Sequence, residues 1–170
     1  MKKPMAAIMA AFAMVALCAP AAMAQSAKGS LTANGQTGQL AHALAWETDS
    51  TTEKGYLDVV VVLSDRKLPL EVARSDEKLE TMAREQGLVA LRVVLNPDAK
   101  VMSAAPLHPA FTTFIRSALW VRWQPSAYNE KLVAGRFHTD GPRSEFKQKW
   151  NYDVTFSAPI SLDPAAKTRR

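Results

Sequence analysis

The sequence predicts a mainly β fold with one helix (α+β), its strands forming an antiparallel β-sandwich or a partly closed β-barrel of about eight strands. Three observations predict it. Apolar residues recur at every second position through several short segments, turn-length connections separate most of those segments, and a single stretch carries the spacing of an amphipathic helix.

The first segment is not part of that fold. Lys2 and Lys3 precede an unbroken apolar run from Met5 to Leu17, Pro20 interrupts it, and Ala22-Met23-Ala24 offers small residues where a signal peptidase needs them. The pattern predicts a signal peptide over residues 1–24, cleavage before Gln25, and a periplasmic or secreted product. Cys18, the only cysteine, falls inside that segment, and Leu17 before it does not suit a lipoprotein signal. The remaining chain is cysteine-free, which excludes thiolate metal sites and thiol nucleophiles. Removing Lys2 and Lys3 leaves 19 basic against 16 acidic residues, a net charge of +3. Part of that excess is terminal, in Lys167, Arg169 and Arg170, so residues 25–162 are expected to form a single β-rich domain and 163–170 a disordered basic tail.

Ser30 to Ala33 reads as a strand entering the turn Asn34-Gly35, a pair that tolerates the positive φ of a type I′ hairpin. The return strand is expected from about Gln39 to Glu47, with Leu40, His42, Leu44 and Trp46 on one face and Ala41, Ala43 and Ala45 on the other. Small residues on one face let another layer approach closely. Tyr56 to Ser64 contains five consecutive aliphatic residues, Val59 to Leu63, which suits a central strand covered on both sides. Ser75 is the expected N-cap of a helix from Asp76 to Gln86, acidic in its first turn and stopped by Gly87. Leu88 to Leu95 and Val101 to Ala105 form a second hairpin across Asn96-Pro97-Asp98. Phe111 to Ile115 is too short to assign. Leu119 to Trp123 and Leu132 to His138 read as strands, the latter closed by Thr139-Asp140-Gly141-Pro142. In the last strand Trp150, Tyr152, Val154 and Phe156 alternate with polar residues, the mark of one buried and one wet face.

Candidate chemistry is sparse. His42, His108 and His138 are far apart and lack metal-ligand spacing, so a shared metal site would exist only if the fold gathered them; no metal or cofactor is expected. His138 and Asp140 stand at i, i+2, the spacing of a base and its orienting carboxylate, although Asp140-Gly141 is equally a turn signal. Ser64-Asp65 and Ser144-Glu145 lie in neither a G-x-S-x-G elbow nor an S-x-x-K arrangement. Trp120, Arg122 and Trp123 with Tyr128 form the richest aromatic and cationic cluster, able to stack on a flat ligand or sugar ring if it faces solvent and simply part of the core if it does not. A charge of +3 supplies no basic groove, so no nucleic acid is expected as partner.

Three segments carry a resemblance: Gly29 to Gly35, Val62 to Pro69, and Gly135-Arg136 through Gly141 leading to Tyr152 to Ile160. Together they resemble a group of exported bacterial proteins without an assigned activity, which implies a bacterial, periplasmic, β-rich domain and transfers no functional residue. The reading that follows is a non-enzymatic binding or accessory domain for a protein, peptide or envelope component, without a membrane span after cleavage. Its expected surface is Trp120, Arg122, Trp123 and Tyr128. The alternative is a hydrolase or metal-dependent enzyme using His138 or His42 with a carboxylate such as Asp140.

Overall fold

A computed structural model describes residues 25–161. The expected signal peptide, with Cys18, and the expected basic tail lie outside the described residues. Ten strands and two helices are present among them: β1 Ser26–Ala33, β2 Gln36–Leu40, β3 His42–Asp49, β4 Leu57–Ser64, α1 Leu70–Ala73, α2 Asp76–Glu85, β5 Ala90–Leu95, β6 Val101–Leu107, β7 Arg122–Tyr128, β8 Leu132–His138, β9 Arg143–Glu145 and β10 Gln148–Ser161. The chain is mainly β, as expected, but it has ten strands rather than about eight, two helices rather than one because Pro69 opens the short α1, and a sheet that is mixed rather than antiparallel because β10 ends parallel to β3. The strands make one mixed sheet whose main path runs β2-β1-β10-β3-β4-β5-β6, with β8 and β9 also on β10 and β7 on β8. It is not closed into a barrel.

β10 organises the sheet. Its alternation buries Trp150, Tyr152, Val154, Phe156, Ala158 and Ile160 on one face, and its 14 residues are long enough to serve several neighbours. It pairs antiparallel with β1, β8 and β9, and its last two residues pair parallel with Ala45 and Trp46 of β3. The expected central strand is β4. Val59, Val61 and Leu63 join the buried cluster that includes the β10 side chains, while Val60 and Val62 join a second cluster with Leu79 and Ala83 of α2. The small face of β3 behaves as its composition predicts, with Ala43 and Ala45 inside the larger cluster.

Helix α2 begins where its cap predicts: Ser75 Oγ accepts the Lys78 amide at 3.2 Å, satisfying one of the amides the first turn leaves open. Asp76 at its start meets Arg92 of β5 at 2.9 Å and Arg116 at 2.7 Å, so the favourable first-turn charge also ties the helix to the sheet and to the chain after β6.

Two expected strands also need correction. The return strand is two strands, because the chain bends at Ala41, whose amide bonds to Ser64 and whose carbonyl takes the Ala27 amide. β2 therefore stays with β1 while β3 crosses to β4, and Leu40 joins the same cluster as Ala43 rather than facing away from it. Leu119 to Trp123 is not a strand; the strand starts at Arg122 and runs to Tyr128. The hairpin β9–β10 went unforeseen because no glycine, asparagine or proline marks its turn.

His108 opens the long segment between β6 and β7. It is buried, and its Nδ1 accepts the Ala110 amide at 3.0 Å. Burial pushes its pKa below the ordinary 6.5, opposed by Asp65. The unfolded chain takes its proton near that ordinary value and the folded chain only at lower pH. This contribution to stability is therefore complete above about pH 6.5 and is lost as the solution is acidified from there. Urea titrations between neutral and mildly acidic pH are expected to show a falling midpoint that flattens in His108→Gln; an identical slope in the variant would refute the assignment.

Candidate functional site: the loops around Trp120

Residues 108–121 cross one end of the sheet. Phe111, Ile115 and Val121 anchor this segment in the larger buried cluster. Leu119 and Trp120 stay outside, at 75% and 38% relative exposure. The segment is tied down by Gln148, a buried amide at the start of β10. Its Oε1 accepts the Thr112 amide at 2.7 Å and its Nε2 donates to the Thr113 carbonyl at 2.8 Å. Asn34 makes a second tie, donating to the Ala110 carbonyl at 2.9 Å and accepting the Lys149 amide at 2.9 Å. Both amides use donor and acceptor together, so the β1–β2 turn, residues 108–121 and the β9–β10 hairpin form one supported end of the molecule.

The hairpin adds a third apolar side chain. Glu145 and Gln148 pair directly, leaving Phe146 and Lys147 as a two-residue turn with φ of 49° and 61°. Positive φ at both central positions is the type I′ requirement, and here it is met by two residues with a Cβ. Phe146 is 71% exposed. At the start of β9, the Arg143 guanidinium lies 5.0 Å over the Trp120 ring, a cation–π contact that links the hairpin to the neighbouring segment.

Asp140 joins the predicted residues that do come together. Arg122 Nε bonds its carboxylate at 2.5 Å, with Arg143 Nη2 at 3.7 Å and His138 Nδ1 at 3.8 Å. The Arg122 hydrogen bond, above all, holds the Asp140 carboxyl below the usual carboxylate range. β8 ends at His138, and Asp140 lies in the turn beyond it. At 3.8 Å His138 is outside hydrogen-bond reach of a carboxylate already engaged by Arg122. His42 is not nearby: it starts β3 opposite Ser64, whereas His138 sits between Arg122 and Asp153. No group of three His, Cys, Asp or Glu among the described residues is placed to hold a metal. Buried His138 Nε2, Thr139 Oγ1 and Arg143 Nε make no hydrogen bond, an uncommon concentration of unpaired polar atoms at one end.

The four expected surface residues separate. Trp120 and Arg122 share the end just described. Trp123 turns inward and packs on Phe137 and Phe156, with ring centroids 4.5 and 5.7 Å away. Tyr128 is at the far end of β7, where its hydroxyl donates to the Asn96 carbonyl at 2.7 Å. There it lines a cleft of about 690 Å³ with Lys54, Tyr56, Pro97 and Asn129. Leu119, Arg143, Phe146 and Gln148 were not singled out from sequence. The available signal was Phe146 itself, an isolated aromatic in the polar run from Arg143 to Lys149.

Compared with known protein families, with curated proteins and with solved structures, the chain matches none.

Proposed function

We propose that this protein is an exported, non-enzymatic binding domain that engages a protein, peptide or envelope component through the end bearing Leu119, Trp120 and Phe146. The observation that carries the reading is the exposure of these three large apolar side chains on two segments braced against each other. Folding alone gives no reason to leave such groups in water, and large exposed apolar groups on neighbouring segments mark contact sites. The proposed surface includes Trp120 and Arg122. The export and periplasmic location rest on Lys2, Lys3, the Met5–Leu17 run and Ala22-Met23-Ala24. For the fold we favour a sandwich, because side chains from β3, β4 and β5 share one buried cluster with those of β1, β8 and β10.

The test is capture. Tagged full-length chain, expressed in a bacterial host, is expected to retain cell-envelope material that Trp120→Ala with Arg122→Ala retains several-fold less well. Equal capture by the variant would remove this surface from the reading.

A hydrolase centred on His138 is the second reading, supported by the approach of its imidazole to Asp140 and opposed by the Arg122 bond to that carboxylate. It requires turnover of ester, peptide or glycoside reporter substrates that His138→Ala abolishes. No turnover by the wild-type chain would end it.

A further inference from the structure

The turn at Phe146-Lys147 is the point from which the partner can be inferred. The same chain makes another two-residue turn with both φ positive, at Asn34 and Gly35 (48° and 83°), and there uses the residues that tolerate this backbone best. At the second turn a bulky aromatic and a lysine sit in the left-handed region, where a side chain is strained. Nothing in the core compensates for this, since Phe146 is mostly in water. The turn is suboptimal for folding and well suited to projecting a phenyl ring.

We propose that this end docks on the surface of a lipid bilayer containing anionic headgroups, with Phe146, Leu119 and Trp120 entering the interfacial region and Lys147 and Lys149 meeting lipid phosphates. The inference rests on the binding-domain reading and names its partner. Charge complementarity supports it. Lys147 and Lys149 are exposed and join no ion pair among the described residues. The acids nearest these lysines are already engaged or flanked by cations, Asp140 by Arg122 and Arg143 and Asp153 by Arg136, which leaves Lys147 and Lys149 as the charges next to Phe146 that are open to an anionic surface. Each lysine or arginine near an anionic membrane strengthens attachment, and indole and phenyl rings partition into the headgroup boundary. The shape agrees: apolar tips on separate projecting turns fit a fluid interface, whereas a protein partner is typically gripped by a packed central pocket.

Co-sedimentation with vesicles tests this. The exported chain beginning at Gln25 is expected to pellet with phosphatidylcholine vesicles mixed with phosphatidylglycerol, far less with phosphatidylcholine alone, and less as salt is raised. Phe146→Asn with Lys147→Gly is expected to weaken the association by about tenfold or more while raising the melting temperature, because it installs the better turn. That opposite pair of changes excludes misfolding as the cause of lost binding. Lys147→Glu with Lys149→Glu is expected to abolish the preference for the anionic vesicles. Wild-type chain that ignores both vesicle types, or a Phe146→Asn, Lys147→Gly variant that binds like wild type, overturns the lipid assignment. If vesicles are ignored but Trp120→Ala with Arg122→Ala still loses a defined envelope protein, only the lipid partner falls; if neither readout moves, the binding surface falls with it.

Discussion

Gly29→Ala is expected to destabilise the fold by about 3 kcal/mol or more, a large share of the roughly 5–15 kcal/mol that holds a domain together. Gly29 pairs with Val154 in the middle of the β1–β10 ladder. A Cβ there would fall onto the Asp153 carbonyl oxygen and 2.5 Å from Val154 Cα. Both obstacles are backbone atoms of the strand on which the sheet is assembled, so no rotamer change relieves them. Part of β1 would have to leave β10, and β2, whose only strand partner among the described residues is β1, would move with it. Gly35→Ala is the control. Its Cβ would enter open space at the turn, leaving only the left-handed backbone to oppose it, at about 1–2 kcal/mol. Urea midpoints of the two variants decide the matter: equal losses would mean that β1 does not approach β10 as closely as described.

Phe137→Ala is expected to cost about 3–5 kcal/mol. Phe137 is fully buried, with Trp123 and Phe156 at centroid distances of 4.5 and 4.9 Å. Removing this ring opens a cavity lined by two rigid aromatics that already pack on each other at 5.7 Å and cannot collapse into it, which places the loss toward the upper part of the range. Trp123→Ala is expected to cost about 3 kcal/mol, and the double variant less than the sum, because the same ring contact is lost only once. Trp120→Ala is expected to change stability by less than about 1 kcal/mol, as its ring is partly exposed and touches one guanidinium. Two tryptophans three residues apart are thereby assigned opposite roles by one denaturation series. Comparable losses at both would return Trp120 to the core and leave the docking surface without its indole.

Local pattern was a good guide wherever one short segment contains its own signal. Ser75 with its acidic followers marks the start of α2, Asn34-Gly35 marks a turn, and Leu132 to His138 is found with the bounds its pattern predicts. The alternation from Trp150 to Phe156 identifies both the strand and its buried face. It does not reveal that this strand continues to Ser161 and there reaches β3, since the final parallel bonds involve only two residues that could pair with any free edge. The bend at Ala41 was hidden for a similar reason. An uninterrupted run of alternating residues looks like one strand until Ser64 supplies the hydrogen bond that divides it.

The candidate site was legible only in part. Trp120 and Arg122 stand out because aromatic and cationic residues close in sequence are conspicuous; Trp123 and Tyr128 were grouped with them on proximity alone, and the inward turn of Trp123 against Phe137 and the length of β7 separate them from that pair. By itself the sequence determined the strand-rich class, the helix and its cap, and the apolar faces, because these follow from side-chain periodicity and capping along a few adjacent residues. Only the tertiary structure decided that the segments carrying Phe146 and Leu119-Trp120 are tied to each other, that Arg122 takes Asp140 from His138, and that Gln148 and Asn34 brace the surrounding turns. Those outcomes depend on contacts between residues tens of positions apart, and the free energy of such a contact is written in neither partner alone.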